Sequence, residues 1–332
     1  MELNNIFIPL AKDTPNNILN KRAKVDTGTT CNYKCDFCYY YNSLNAKFKE
    51  LNIIKKEIDL LHKIGIKEFD LSGGESSIHP DFIEIIKYAK QYGPVSTLSN
   101  GSMFYNIEFL KECKNAGLQE VLFSLHGYDQ KSHDKIVHHK SAFDKIIKSI
   151  LNCNKLGIEV RLNCTIDNVF NEINYLKLLK NLNFTQLNLL PLNYWDDASN
   201  KSSINYLEIA KKSQTIIDNL PNIECNIRYI PYCFMKGYEK NVIGVFQHIY
   251  DLKDWNVYAY DLPSEKITKN QMFKAAAKNR IASFTKPLEC KDCSLAYLCD
   301  GIEKQNLGCN VLHPYKGVKQ RNILYWRLND SN

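Results

Sequence analysis

The residues with the most chemistry to offer are the cysteines, twelve in 332 residues, and most of them fall into two groups. The first is Cys31-Asn-Tyr-Lys-Cys35-Asp-Phe-Cys38. Three thiolates this close can each take one iron of an iron–sulfur cubane and leave the fourth iron open to another ligand. A small zinc site or three buried thiols would use the same spacing. The second group is Cys290-Lys-Asp-Cys293, then Cys299 and Cys309. A Cys-x-x-Cys pair with a third thiol nearby is a metal-site signal in its own right, with structural zinc as the plain alternative. Cys113, Cys153, Cys164 and Cys225 have no partner at ligand spacing and read as buried, inert thiols.

Such ligands need a frame. Between 25 and 190, short β-rich runs alternate with longer amphipathic stretches. Strands are expected at 25–29, 68–72, 95–99, 120–125, 159–165 and 186–190, and helices near 47–64, 80–92, 106–116, 142–156 and 171–182. Repeated βα units build a parallel sheet, and six of them give an α/β fold, a partial (β/α)6 TIM-like barrel. The first cysteine group then sits on the loop after the first strand, at the carboxyl face where barrel chemistry is found. Leu71-Ser72-Gly73-Gly74-Glu75 ends the second strand, Ser99-Asn100-Gly101 the third and Ser124-Leu125-His126-Gly127 the fourth, while Asn163 lies on the fifth. Glycines let backbone approach a ligand closely, and a lone Gly-Gly is otherwise a turn. After Pro191 the rhythm breaks, with a polar stretch, a helix near 204–219 and then a cysteine-rich remainder. The expected organisation is an N-terminal extension (1–24), the barrel core (25–191), a helical connection (192–224) and a smaller C-terminal cluster-binding domain (225–332).

Composition narrows the class. The net charge of +7 is spread over many lysines, and no basic block or RNA-binding signature accompanies it. A nucleic-acid partner is therefore not expected. No apolar run is long enough to cross a bilayer, and no basic, apolar and small-residue sequence of a secretory signal opens the chain. A cytoplasmic, reducing setting is expected, in which clustered cysteines are metal or redox ligands.

With these residues in view, the chain resembles the radical S-adenosylmethionine (SAM) superfamily. The family signature is CxxxCxxC with an aromatic residue just before the last cysteine, matched by Cys31, Cys35, Phe37 and Cys38, and Gly73-Gly74-Glu75 resembles its GGE motif. The resemblance implies a [4Fe–4S] cluster on Cys31, Cys35 and Cys38. SAM would bind the open iron and cleave reductively to a 5′-deoxyadenosyl radical that abstracts hydrogen from substrate. It implies that Phe37, Gly73, Gly74, Glu75, Ser99, Asn100, Ser124 and Asn163 form the cofactor pocket, although each polar residue taken singly also fits a cap or a turn. A flavodoxin- or ferredoxin-like protein would supply the electron.

Cys290, Cys293 and Cys299 resemble part of the SPASM and twitch extensions of that superfamily, which implies one auxiliary [4Fe–4S] cluster completed by Cys233 or by Cys309, with Cys233 preferred. The full SPASM pattern has another cysteine where this chain has Glu303. The resemblance covers about 25–190 and 225–312. Relatives of this kind are oxidoreductases, epimerases and peptide maturases. The expected substrate is a polar small molecule of sugar or aminocyclitol type, oxidised or epimerised, with a ribosomal peptide as the second reading. A non-enzymatic zinc module would explain the C-terminal cysteines but not the first loop together with Gly73-Gly74-Glu75. His126, His133, Asp134, His138 and His139 follow the fourth strand without any ranking among them, and a solvated loop is the default for most.

Overall fold

The computed structural model describes residues 22–38, 46–63, 65–192, 204–243, 257–258, 284–296, 299–308 and 310–317. Cys309 and most of the expected N-terminal extension lie outside them. One sheet contains β1 (Arg22–Asp26), β2 (Glu68–Ser72), β3 (Val95–Ser99), β4 (Leu118–Ser124), β5 (Glu159–Ile166), β6 (Gln186–Pro191), β7 (Glu224–Arg228), β8 (Val242–Ile243) and β9 (Val257–Tyr258). Every pairing is parallel; β1 to β8 lie side by side in chain order, and β9 pairs with the other edge of β1.

The helices are α1 (Leu51–Lys63), α2 (Phe82–Lys90), α3 (Ile107–Ala116), α4 (Gln130–Val137), α5 (Ala142–Leu156), α6 (Glu172–Leu179) and α7 (Tyr206–Asp218). Successive parallel neighbours joined through helices give the expected partial barrel. The sheet does not stop at six strands, because β7, β8 and β9 come from the chain beyond 191. These strands are short, and two of them are only two residues long, too few to show alternation in a sequence.

Two sets of side chains explain the curl. Ala23, Val25, Phe69, Leu71, Val121, Phe123, Leu162, Leu187 and Ile227 point outward and pack against helix residues such as Ile54, Ile58, Ile85 and Ile150, all of them buried. Cys113, Cys153, Cys164 and Cys225 belong to this apolar layer, where burial raises each thiol, Cys113 and Cys225 to about 12. Their expected inertness follows from that placement. Asparagine side chains start three of the helices: Asn106 caps α3, Asn171 caps α6 and Asn205 caps α7. α4 was not expected. It is polar, and its only buried residues are His133 and Val137; the capping box between Asp129 and Ser132 is its one sequence signal.

The other face of the strands is polar. Arg22 on β1 meets Glu120 on β4 at 2.8 Å and Glu68 on β2 at 3.0 Å. Arg161 on β5 approaches the same Glu120 at 2.7 Å and donates to Gln186 on β6 at 2.9 Å. Gln186 in turn donates to Glu224 on β7 at 2.9 Å. One glutamate between two guanidinium groups thus links strands from across the curl. Asp70 lies above it with its carboxyl raised to about 6 by burial, against the lowering pull of Arg22 and Arg161.

The C-terminal segment adds the antiparallel pair β10 (Phe284–Thr285) and β11 (Ile302–Glu303). Glu303 is buried and accepts from Asn306 Nδ2 at 3.0 Å. Asn306 Oδ1 accepts from Ile204 N at 2.9 Å, and Asn310 Oδ1 accepts from Tyr206 N at 2.7 Å. Asparagines thereby fasten the cysteine segment to the start of α7. Among the described residues no helix is long and apolar enough to cross a membrane.

Removing Glu120 leaves two buried guanidinium groups facing each other. Glu120→Ala is expected to cost about 3–5 kcal/mol, as breaking a buried pair from one side does. Urea unfolding followed by circular dichroism checks this, and a cost under about 1 kcal/mol would show that the network does not hold the curl together.

Candidate functional site

The first cysteine group begins where β1 leaves the sheet. Sequence placed that strand at 25–29, whereas it occupies Arg22–Asp26, in register with Glu68–Ser72 of β2. Thr27 N still donates to Ser72 O at 2.8 Å, and the chain then lifts over the end of β2. Gly74 N donates to Gly28 O and Glu75 N to Thr30 O, both at 2.9 Å. A Cβ on Gly73 would lie 2.3 Å from Gly28 O, and one on Gly74 would lie 2.2 Å from Thr30 O. Gly73 also has a φ of +141°. The two glycines are therefore required for one loop to lie on the other, a role distinct from the close approach to a ligand expected from sequence.

Glu75 is buried and fully occupied. Its carboxylate accepts from Ser77 N at 3.1 Å, Ser77 Oγ at 2.5 Å, Ser99 Oγ at 3.0 Å and Asn100 N at 2.6 Å. Burial raises its pKa, and the hydrogen bonds from Asn100, Ser77 and Ser99 oppose the rise. Glu75 and Ser99 thus brace the ends of β2 and β3. Asn100 reaches the cysteine loop, where its Nδ2 donates to Asn32 Oδ1 at 2.9 Å and lies 3.8 Å from Cys31 Sγ. Ser124 and Asn163 are partners in the β4–β5 register and half-buried, and their side chains make no hydrogen bond among the described residues. They are the polar groups of the expected pocket that remain open.

The unranked residues after β4 turn out to hold the cysteine loop, which corrects the expectation of a mostly solvated segment. Lys34 N donates to Val137 O and Asp36 N to Ile136 O, both at 3.1 Å, at the end of α4. Asp36 Oδ1 pairs with His138 Nε2 at 2.5 Å, Tyr33 lies against the His139 ring with centroids 4.4 Å apart, and Phe37 meets His126 edge-on at 4.8 Å. Asp134 accepts from Ser141 N and Phe143 N at the start of α5. The left-handed backbone at His138 and Ser141 turns the corner sharply enough to present these side chains. Proximity along the sequence does not reveal this docking; the Asp129-x-x-Ser132 capping pattern, not read from the sequence, is the signal that could have pointed to an ordered corner.

Cys31, Cys35 and Cys38 share this loop, with Tyr33 N donating to Cys31 Sγ at 3.4 Å. Burial lifts the Cys31 thiol to about 11 and Cys35 higher still, with the neighbouring thiols adding to the rise at Cys35. Thiols so placed ionise only with a cation or metal beside them.

The second group is brought together as well. Cys233, Cys290, Cys293 and Cys299 line one concavity. Cys233 comes from the turn Tyr232–Phe234 after β7, and Cys290 from the turn Leu288–Asp292. Tyr315 N donates to Cys293 Sγ at 3.4 Å and Gly301 N to Cys299 Sγ at 3.3 Å. Burial raises the thiols of Cys233, Cys290 and Cys299, the last to about 12. None of the described cysteines forms a disulfide. Among the described residues no three His, Cys, Asp or Glu side chains close around a single metal ion, which a cluster does not require because each of its irons takes one thiolate. Soft thiolates that receive backbone N–H groups suit iron–sulfur chemistry, so both groups fit the cofactors expected from sequence.

A curled, helix-backed parallel sheet with a three-thiol loop over its carboxyl edge defines a class of barrel enzymes, and comparison with known proteins specifies which. The model of the radical SAM superfamily matches residues 25–185, and that part of the chain is a radical SAM domain, a family that uses a [4Fe–4S] cluster and SAM. A probable GTP 3′,8-cyclase of Thermoplasma volcanium is 31% identical over 147 residues, 43% of this chain and 44% of that protein. The GTP 3′,8-cyclase of Aquifex aeolicus is 26% identical over 210 residues, 59% and 65% of the two chains. The chain thus spans under half the length of the first of these relatives and under two thirds of the second. Among solved structures, SAM-bound SuiB of Streptococcus suis superposes with a TM-score of 0.61 at 15% identity, covering 92% of this chain and 77% of that one. Native anSMEcpe with bound AdoMet does so with a TM-score of 0.55 at 16% identity, covering 93% and 97%. These two likenesses establish the fold.

The docking corner carries a pH signature. His126 Nδ1 accepts from Thr165 N at 3.1 Å and His133 Nδ1 from His126 N at 3.2 Å, so each ring carries its proton on Nε2. Burial depresses both imidazoles, His126 to about 3 with help from His133, and His133 to about 4. Between the unfolded value of roughly 6.5 and these folded values, the unfolded chain binds more protons, so stability falls as pH falls through that window. Asp70, raised to about 6, acts in the opposite sense below pH 6. The wild-type protein is expected to lose urea stability between about pH 7.5 and 5, and His126→Asn, which keeps an acceptor for Thr165 N, to lose less. Equal losses would show that His126 does not drive the slope.

Proposed function

We propose that this chain is a radical SAM enzyme acting on a polar small molecule of sugar or aminocyclitol type, which it oxidises or epimerises. The observation that carries the reading is the stacking of the Cys31–Cys38 loop on Gly73-Gly74-Glu75 at the carboxyl edge of the barrel. In this reading Cys31, Cys35 and Cys38 hold a [4Fe–4S] cluster, and Cys233, Cys290, Cys293 and Cys299 hold an auxiliary one. When bound, the first cluster supplies one electron to SAM, whose sulfur–carbon bond breaks to methionine and a 5′-deoxyadenosyl radical able to take hydrogen from a substrate carbon.

The chain's own residues position and shield. Phe37 closes one side of the cofactor space from its contact with His126. Ser124 and Asn163 offer uncommitted donors and acceptors to the cofactor, while Glu75 and Ser99 keep the loops rigid around it. Hydrogen-bonding capacity left at the carboxyl edge by Ser124 and Asn163 suits a polar substrate better than an apolar one. The named relatives are cyclases of GTP, a sugar-bearing molecule, which is in keeping with that class. A flavodoxin- or ferredoxin-like donor in the cytoplasm would provide the electron. The auxiliary cluster would accept an electron from the substrate radical in an oxidation, whereas an epimerisation needs a thiol hydrogen donor instead.

Modification of a ribosomal peptide is the second reading, favoured by the fold shared with SuiB, which has also been solved bound to its precursor peptide SuiA.

Anaerobic loading with iron and sulfide tests the proposal. About eight irons per chain are expected, two cubanes of four. The Cys31/Cys35/Cys38 triple alanine variant should lose about four of them and all production of 5′-deoxyadenosine from SAM and dithionite. Cys290→Ala with Cys293→Ala should lose the other four or so and still cleave SAM. Zinc in place of iron, with no SAM cleavage, would overturn the reading.

A further inference from the structure

We infer that Asn100 is a positioning residue that hydrogen-bonds the Cys31 sulfur and thereby sets the electron affinity of the cluster proposed for that loop. The inference rests on the assignment of Cys31, Cys35 and Cys38 as cluster ligands. It departs from the sequence reading, in which Asn100 touches SAM.

The orientation of the amide is fixed by its neighbours. Asn100 Oδ1 accepts from Ser102 N at 2.9 Å, so Nδ2 must occupy the other end, where it donates to Asn32 Oδ1 at 2.9 Å and faces Cys31 Sγ at 3.8 Å. The flipped amide would set its NH2 against the Ser102 N–H and its oxygen against the thiol and Asn32 Oδ1, losing every one of these contacts. The backbone is held too. Asn100 N donates to Glu75 Oε2 at 2.6 Å, and Gly101 N donates to Ser99 Oγ at 3.0 Å. Gly101 has a φ of +78°, and a Cβ there would lie 2.9 Å from Ile146 of α5, so the turn is packed against the helix.

Cys31 therefore receives two N–H groups, one from Tyr33 N at 3.4 Å and one from a side chain. An N–H aimed at a cluster sulfur stabilises the form with one more electron, and hydrogen bonds to the sulfurs are among the factors that set iron–sulfur potentials. The buried carboxylate of Glu75 thus acts on Cys31 through Asn100, tying the end of β2 to the ligand.

The test is a potentiometric titration of the iron-loaded protein without SAM, poised with dithionite and read by electron paramagnetic resonance. The first-cluster signal is identified as the one missing from the Cys31/Cys35/Cys38 triple variant. Asn100→Ala should move its midpoint to more negative potential. Asn100→Asp keeps the acceptor for Ser102 N, places negative charge beside the sulfur, and should move the midpoint further in the same direction. An unchanged SAM-free midpoint would overturn the inference, whether SAM affinity falls, as a cofactor contact requires, or only thermal stability falls, as a purely structural role requires. Failure of both variants to take up iron in the loop while the far cluster loads would also overturn it. A wild-type protein without iron would instead strike the assignment on which the inference rests.

Discussion

The contact on which the rest of the site depends is backbone against backbone: Gly73-Gly74-Glu75 lying on residues 28–30. Two amide-to-carbonyl hydrogen bonds join the segments, and Cβ atoms on the glycines would stand little more than 2 Å from carbonyl oxygens. No side-chain adjustment could relieve such an overlap, because both partners are main chain whose position the parallel β1–β2 register has already set. The cysteine loop is thus referenced to the sheet before any metal is considered. Its far side is referenced to α4 through the carbonyls of Ile136 and Val137. A loop fixed at both ends can present three thiols without the sheet itself supplying a ligand.

The polar groups around this loop divide into those already spent and those left open. Glu75 carries four hydrogen bonds and Ser99 two, so neither has capacity to follow a ligand. Ser124 and Asn163, one register pair further round the barrel, are uncommitted. Buried polar groups that are fully satisfied give rigidity, and accessible ones that are not give recognition. The same division recurs below, where Glu120 is consumed by Arg22 and Arg161 and works as a brace between strands. Rigid geometry at the β1–β3 end and open chemistry at the β4–β5 end are complementary requirements of a barrel site.

Much of this was legible in the sequence, and the reasons for the remainder are physical. The six main strands and most helices follow from periodicity, and the grouping of Cys31, Cys35 and Cys38 on one loop from their spacing, while the cluster reading of that loop also drew on Gly73-Gly74-Glu75. The gathering of Cys233 with Cys290, Cys293 and Cys299 was an expectation drawn from resemblance, since nothing local links a residue at the end of β7 to a turn far along the chain. The starting point of β1 was displaced because the threonines at 27–30 are as β-prone as the strand before them, yet beyond the Thr27 N bond to Ser72 O the backbone hydrogen bonds of this stretch go to the loops at 47–49 and 74–75 and not to β2. The histidines of the α4–α5 corner could not be ranked because their roles are set by what docks against them. Glu75 was read as part of the cofactor pocket; two of its four donors are local, on Ser77, and the other two, Ser99 Oγ and Asn100 N, lie at the end of β3, which only the folded sheet brings near.

The two cysteine groups differ in how they are held, and that difference follows from their surroundings. The first is pinned by long-range contacts to the barrel and carries a side-chain amide beside one sulfur. The second is assembled from a turn after β7, a turn after β10 and the returning chain at Tyr315, whose hydroxyl reaches Glu239 at 2.5 Å while its amide reaches Cys293. Among the described residues of 284–317, the buried apolar side chains are Phe284, Leu295, Ile302 and Tyr315. Segments of this size are commonly held by metal ligation where hydrophobic burial is insufficient. A cluster there would join these separate turns as well as serve redox chemistry, whereas in the first loop the protein prepares the ligands and the metal would add the chemistry.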